Sequence, residues 1–311
     1  MLGPSSFRIA VVGAGAIGGY YGARLAQAGE DVAFLLRGDL AAVRKDGWQV
    51  ESIDGDFDLP GVKAFGSSAE IGPVDLVIVA WKSTANHLLG EVVRPLLHGG
   101  TSILTLQNGL GNVELLASLF GAERVLGGLC FVCINRVGAR RLSHTAGGAV
   151  SIGEYSSGRR EVLDDVVRRF VAAGISCKAV DSLGKAQWTK LVWNVPFNGL
   201  AIAEGGVTTD VLLATPGLEA EVRALMSEVI AAATALGFVL DPQLIDRQVA
   251  LTRGMAAYRP SSMIDYLDGR EVETEAIWAE PIRRAKAAGV EVPRMQALLE
   301  KINARLRERW I

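Results

Sequence analysis

The stretch "RIAVVGAGAIGG", which begins at Arg8, constrains the fold most, because it joins an apolar strand to a glycine-rich turn and a helix. Its glycines follow the GxGxxG spacing of a turn that binds the pyrophosphate of a dinucleotide. There the first glycine permits a tight bend, the second lets phosphate approach the backbone, and the third lets helix and strand pack closely. We expect the whole turn to bind a cofactor: Gly13, Ala14, Gly15, Ala16, Ile17 and Gly18.

The end of the second predicted strand, "DVAFLLR", indicates which dinucleotide is bound. Sites for NAD usually place Asp or Glu there for the ribose 2′-hydroxyl, whereas a guanidinium suits a 2′-phosphate. This chain has Arg37 at that position, with Arg44 and Lys45 nearby. We therefore predict that the cofactor is NADP(H).

Two further polar residues follow apolar strands. Lys82 comes after "VDLVIVAW" and Asn108 after "ILTLQ". The carboxyl ends of strands in an open α/β sheet form the crevice that binds ligands. Lys82 is a candidate to contact the ribose, the nicotinamide carboxamide or the substrate, and Asn108 to lie beside the nicotinamide ribose. Since Asn-Gly is also a turn signal, Asn108 has a structural reading as well.

Strand and helix patterns alternate through the first half of the chain and helical patterns alone occupy the second half. Alternation of this kind predicts parallel βαβ units. The fold class is therefore α/β: an N-terminal Rossmann-type, doubly wound parallel sheet over residues 1–180, then an all-helical domain over 181–311. Helices are predicted at about 183–203, 217–236, 241–253, 273–288 and 294–309.

The segment "QWTKLVWNVPFN" places Lys190, Asn194 and Asn198 four residues apart in a mostly apolar helix. Residues four apart lie about 40° around a helix and about 6 Å along it. The three side chains therefore form one polar stripe, which we expect to face an enclosed polar cavity. A lysine there needs an acidic partner, and "SSMIDYLDGREVETEAI" supplies both acids and serine hydroxyls that suit a small carboxylate: Ser261, Ser262, Asp265, Asp268, Glu271, Glu273 and Glu275.

Composition excludes several classes of protein. The net charge of −2 gives no basic excess for nucleic acid, and no apolar run is long enough to span a membrane. The start "MLGPSSF" is too short and polar for a signal peptide, so we expect a soluble, cytoplasmic protein. Cys130 and Cys133 have CxxC spacing, but no second pair exists, and we interpret them as core thiols without a metal.

The chain resembles the ketopantoate reductase (2-dehydropantoate 2-reductase) family over nearly its whole length. The stretches that carry the resemblance are "GAGAIGGYYG", "LLRG", "AWKS", "LQNGLGN", "WTKLVWNVPFN" and "SSMIDYLDGREVETEAI". The resemblance implies an oxidoreductase that reduces 2-dehydropantoate to pantoate with NADPH, in pantothenate and coenzyme A biosynthesis. It is a small-molecule enzyme, which we expect to be a monomer or a homodimer.

The resemblance also implies roles for particular residues. Lys190 polarises or protonates the substrate carbonyl, while Asn194, Asn198 and Ser262 bind the substrate. A glutamate near the reacting centre matches Glu273 best, with Glu271 and Glu275 as alternatives, because the segment after Ser262 is one residue shorter than in better-known members. Lys82 and Asn108 serve the cofactor and the catalytic site.

Thr208 stands where some members of the family carry a further substrate-binding Asn. This difference leaves open a reductase of the same fold that acts on another 2-oxo acid. A catalytically silent NADP(H)-binding regulator is a third possibility, which the presence of Lys190 and nearby acids disfavours.

Overall fold

A computed structural model describes residues 7–309, so the predicted absence of a leader falls on residues that lie outside the described part. The chain divides into two compact units. The first comprises Met1–Gln107 and Asn112–Leu183, and the second comprises Asn108–Gly111 and Gly184–Ile311. The short segment Asn108–Gly111 therefore belongs to the second unit, although the chain around it belongs to the first.

The first unit is built on one ten-stranded sheet. Its strands are β1 (Arg8–Val12), β2 (Asp31–Leu35), β3 (Trp48–Ser52), β4 (Phe57–Leu59), β5 (Lys63–Phe65), β6 (Leu76–Val79), β7 (Ser102–Thr105), β8 (Val125–Arg136), β9 (Arg141–Glu154) and β10 (Cys177–Ala179). The sheet order is β4-β3-β9-β8-β7-β6-β1-β2-β5, and β10 also pairs with β9.

Most strand pairs are parallel, and the predicted α/β fold with a parallel-dominated sheet is confirmed. The pairs β3–β4 and β8–β9 are antiparallel, so the sheet is not wholly parallel. The β8–β9 ladder carries two register shifts, which are typical of β-bulges. Sequence patterns did not predict β3, β4 or β5, because these strands are short and their faces mix apolar and polar residues.

Helices pack with this sheet around one apolar core, which includes the fully buried Tyr21, Phe34 and Trp48. The helices are α1 (Ala16–Gln27), α2 (Leu40–Asp46), α3 (Ser68–Ile71), α4 (Leu89–Val93), α5 (Asn112–Phe120) and α6 (Arg160–Ala172). Short 3₁₀ turns are formed by Ser83–Leu88, Arg94–Leu96 and Ala122–Arg124. Because β1 leads directly into α1, the glycine-rich turn lies at the carboxyl end of a central strand.

The second unit is helical, as predicted. Its elements are α7 (Leu183–Ala203), α8 (Thr209–Ala214), α9 (Pro216–Ala235), α10 (Leu244–Arg253), α11 (Ser261–Leu267), a π-helical turn (Glu275–Ala279), α12 (Glu280–Ala287) and α13 (Pro293–Glu308). A second apolar core lies here, with Val195, Met226 and Trp278 fully buried. The short helices α8 and α11 were not predicted, since neither is long enough to show a periodic pattern.

Cys130, Cys133 and Cys177 form no disulfide bond. Burial raises the pKa of the Cys177 thiol to about 12, so this thiol is protonated at neutral pH and is a weak nucleophile. Within residues 7–309 no cluster of His, Cys, Asp and Glu suits a metal ion. No helix in that range is long and apolar enough to cross a membrane.

Candidate active site

The glycine-rich turn has the shape that a pyrophosphate needs. Gly13 has a φ of +90°, and a Cβ there would lie 2.4 Å from the Trp81 nitrogen. A Cβ on Gly18 would lie 2.5 Å from the Gly13 oxygen, whereas one on Gly15 would meet nothing within 4 Å. Gly15 is the N-cap residue of α1 and provides no side-chain hydrogen bond to the helix. The first N–H groups of α1 are therefore available to a ligand. The turn therefore fits the phosphates of a dinucleotide.

The segment after β2 carries an arginine, followed by an acid that is already in an ion pair. Arg37 lies two residues beyond the end of β2, at Leu35, and is exposed. The next acid along the chain, Asp39, forms an ion pair with Arg136 of β8. A carboxylate that is already paired is a poor acceptor for a ribose hydroxyl, so the groups here favour a phosphate over a free 2′-hydroxyl.

An amide network joins the carboxyl ends of β6 and β7. Asn86 Oδ1 accepts hydrogen bonds from Gln107 Nε2 at 2.8 Å and from Trp81 Nε1 at 3.3 Å. Asn86 Nδ2 donates to Asn112 Oδ1 at 2.8 Å. Lys82 precedes the 3₁₀ turn that carries Asn86, so the network holds the backbone on either side of this lysine. Sequence reasoning missed Asn86, because a single Asn in a short turn gives no signal.

Within the second unit, the structure brings two predicted site residues together. Lys190 Nζ donates a hydrogen bond to Asn108 Oδ1 at 2.7 Å. Lys190 is half-buried on α7, and Asn108 lies on the short segment that belongs to this unit. The amide oxygen orients the ammonium without cancelling its charge. Sequence reasoning expected an acid here and did not predict the amide contact.

The rest of the polar stripe is enclosed. Asn194 and Asn198 are 6% and 1% exposed, and Ser262 is 2% exposed. Asn198 Nδ2 donates to the Asn194 carbonyl at 3.2 Å, and Asn198 Oδ1 accepts from the Ser262 backbone N–H at 2.9 Å. Asn198 therefore fixes the first turn of α11, which carries the Ser262 hydroxyl, against α7.

The three candidate glutamates differ in burial. Glu271 and Glu275 are exposed, and Glu275 forms an ion pair with Arg283. Glu273 is 8% exposed and lies two residues before the π-helical turn, which begins at Glu275. A buried carboxylate needs a charged or hydrogen-bonding partner, whereas an exposed one does not. Of the three, Glu273 is therefore the one placed for a role in an enclosed site.

A glycine-rich turn shaped for a pyrophosphate in an α/β unit, together with a lysine–amide pair in a helical unit, is typical of one class of protein: an oxidoreductase that uses a nicotinamide dinucleotide. Comparison with known proteins gives the family. The family model described as "Ketopantoate reductase PanE/ApbA" matches residues 9–157, and the one described as "Ketopantoate reductase PanE/ApbA C terminal" matches residues 182–306. The chain belongs to the ketopantoate reductase family.

Individual relatives agree with this assignment. A 2-dehydropantoate 2-reductase of Nostoc sp. is 39% identical over 95% of this chain and 94% of its own length. The crystal structure of 2-dehydropantoate 2-reductase from Geobacter metallireducens is 43% identical, with a TM-score of 0.94 over 96% of this chain and 99% of the other. That of the enzyme from Methylococcus capsulatus is 30% identical, with a TM-score of 0.89 over 97% of each chain.

The Asn198 bond to Ser262 makes a prediction about stability. Asn198→Ala leaves the buried Ser262 N–H without its acceptor, and we expect unfolding to become easier by about 1–3 kcal/mol. Urea unfolding measures this difference. Gln243→Ala removes an exposed amide from the same unit and should change stability by less than about 0.5 kcal/mol. Equal stabilities for the two variants would contradict a fixing role for Asn198.

Proposed function

We propose that this chain is an NADP(H)-dependent 2-dehydropantoate 2-reductase, which reduces ketopantoate to pantoate in pantothenate and coenzyme A biosynthesis. The observation that carries the proposal is the Lys190–Asn108 hydrogen bond of 2.7 Å, on a helix whose next two polar residues are buried amides. A positioned cation beside enclosed hydrogen-bonding groups suits a small oxo acid, and the family membership supports this class of substrate.

The first unit binds the cofactor and the second binds the substrate. The turn at Gly13, Gly15 and Gly18 holds the pyrophosphate at the start of α1, and Arg37 pairs with the 2′-phosphate. Lys82, after β6, contacts the ribose or the nicotinamide end. When bound, NADPH supplies the hydride that reduces the keto carbon.

Lys190 stabilises the oxygen on which charge develops. As the keto carbon is reduced, its oxygen becomes an alkoxide, and an ammonium hydrogen-bonded to that oxygen lowers the barrier and then provides the proton. Asn108 holds Nζ from one side, so the remaining donors of the ammonium point in fixed directions. This preorientation avoids the cost of arranging a flexible lysine in each turnover.

Asn194, Asn198 and Ser262 bind the carboxylate and hydroxyl ends of the substrate, and Asn198 does so partly by fixing Ser262. Glu273 places a buried carboxyl group in the same unit as Lys190. Together these groups hold the 2-oxo acid so that its keto oxygen faces the ammonium.

Thr208 favours a second candidate substrate. Its hydroxyl bonds the Asp210 carboxylate at the start of α8, and this bond holds the pKa of Asp210 below its usual value. Thr208 thus directs its hydroxyl to a neighbouring carboxylate and offers no amide to a ligand. A 2-oxo acid that lacks the terminal hydroxyl of ketopantoate is accordingly the alternative.

A substrate panel tests the function. Purified protein is assayed with NADPH and ketopantoate, 2-oxoisovalerate, pyruvate or phenylglyoxylate, and we expect the highest kcat/KM with ketopantoate. A higher value for another member of the panel would assign the alternative substrate. Tight NADPH binding without turnover of any member would identify a catalytically silent regulator.

Lys190→Ala should lower kcat by about 10²–10⁴-fold, because the alkoxide loses its proton donor. Lys185→Ala is the matched control, since Lys185 is an exposed lysine on the same helix. We expect the control to keep its kcat within about twofold, in line with the small effects of exposed substitutions. An unchanged kcat in Lys190→Ala would remove this residue from the mechanism.

Arg37→Ala should narrow the preference for NADPH over NADH, because the 2′-phosphate loses a paired charge. The ratio of kcat/KM for the two cofactors is the measurement. Arg168→Ala provides a control in the same unit, since Arg168 is an exposed arginine paired with Asp165 on α6. If both variants kept the wild-type ratio, Arg37 would have no part in cofactor choice.

We also propose a cytoplasmic monomer or homodimer. Three cysteines that form no disulfide bond suit a reducing compartment. Sedimentation velocity separates monomer from dimer, and a larger assembly would rule out both.

A further inference from the structure

The π-helical turn Glu275–Ala279 leaves one backbone carbonyl for use outside the helix. The Glu280 N–H bonds the Glu275 carbonyl, five residues back. In that pattern the donor for the Ala276 carbonyl would be residue 281, which is a proline and has no N–H. The carbonyl of Ala276 therefore takes its partner from another segment.

That partner comes from the segment that carries Asn108. The Leu110 N–H donates to the Ala276 carbonyl at 2.9 Å, and Leu110 is buried. Gly109, between Asn108 and Leu110, has a φ of +83°, and a Cβ there would lie 2.3 Å from the Ala276 oxygen. Only glycine permits this approach, so the sequence at 109 lets the Asn108 segment rest directly on the π-helical turn.

The same turn also holds α7. Trp278 is fully buried, and its Nε1 donates to the Val195 carbonyl at 3.0 Å. Val195 directly follows Asn194 in the polar stripe. A Cβ on Gly199 would lie 2.9 Å from Trp278 Nε1, so the glycine makes room for the indole against the helix.

We propose that Ala276 and Trp278 form a clamp, with Trp278 as a positioning residue for Lys190. One side of the clamp holds the segment with Asn108, the other holds the helix with Lys190, and these two side chains meet at 2.7 Å. Glu273 is tied to the same turn, because its carbonyl accepts from the Ile277 N–H at 3.2 Å. The clamp thus sets the relative positions of the ammonium, its amide partner and the buried carboxylate.

This inference rests on the proposed reductase function for its catalytic consequence. Displacement of a reacting group by about 1 Å lowers rates by as much as about 10²-fold, so a small shift of α7 against the Asn108 segment has a large effect on kcat. The glycine-rich turn and Arg37, which are assigned to the phosphates of the cofactor, lie in the first unit and do not depend on the clamp.

Trp278→Phe tests the clamp, because it keeps an aromatic ring and removes the indole N–H. We expect kcat to fall by about tenfold or more, with a smaller change in the KM for NADPH, because the phosphates of the cofactor are bound in the first unit. Trp193→Phe is the matched control, since Trp193 lies on α7, the helix that Trp278 contacts, and its Nε1 donates to Thr252 Oγ1 at 2.9 Å. Each variant loses one indole hydrogen bond, and both are assayed well below their thermal midpoints, where the control should keep its kcat within about twofold. Equal kcat values in the two variants would overturn the proposal.

Gly109→Ala disturbs the other side of the clamp and gives a readout that needs no substrate. Hydrogen exchange of the Leu110 amide should be slow in the wild type and at least about tenfold faster in Gly109→Ala, since the bond to Ala276 is lost. Unchanged exchange together with unchanged kcat would refute the clamp, even if Trp278→Phe failed to fold.

If the wild type turned over no 2-oxo acid, the proposed function would fail, while the exchange experiment would still decide whether the clamp exists.

Discussion

The hydrogen bond from Lys190 Nζ to Asn108 Oδ1 is the interaction on which the rest of the site depends. A lysine ammonium on a four-carbon stem has many conformations, and catalysis at a carbonyl oxygen needs one of them. A neutral amide acceptor selects a conformation without neutralising the charge, which a carboxylate in the same position would do. This hydrogen bond therefore restricts the position of the ammonium while the amide partner leaves its positive charge in place.

This bond joins residues far apart in the sequence, and other contacts within the second unit hold the two residues near each other. The Asn108 segment belongs to the helical unit although the chain on both sides of it belongs to the sheet unit. The segment is held by the hydrogen bond from the Leu110 N–H to the Ala276 carbonyl. This carbonyl has no donor within its own helix, because of the π-helical turn and Pro281. The π-helical turn therefore leaves the Ala276 carbonyl available to the Leu110 N–H. In a regular α-helix, this carbonyl would accept a hydrogen bond from within the helix.

The sequence predicted the parts of the molecule that depend on local pattern. The strand "RIAVV" has the observed bounds of β1, the glycine-rich turn opens α1, and the long helix was predicted at about 183–203, where α7 lies. The polar stripe on α7 followed from helical spacing alone. Two of its members are buried and Lys190 is half-buried, which agrees with the expected enclosed setting.

The remaining features depend on contacts between distant residues. A helix was predicted at about 273–288, but hydrophobic spacing does not reveal the extra residue in its first turn. The Asn-Gly pair at 108–109 indicated a turn and gave no sign that the segment joins the other unit. To choose among Glu271, Glu273 and Glu275, the exposure of each side chain had to be known. The spacing of residues in a single sequence does not predict this exposure in an irregular loop.

A crystal structure of the protein with NADP⁺ and pantoate is the most direct test of the central claim, that Asn108 holds Lys190 for the reacting oxygen. We predict that Lys190 Nζ lies about 2.6–3.2 Å from the pantoate 2-hydroxyl, the range of a catalytic hydrogen bond, while it keeps its bond to Asn108. A 2-hydroxyl bonded to a different donor, with Lys190 Nζ beyond about 4 Å, would contradict the account.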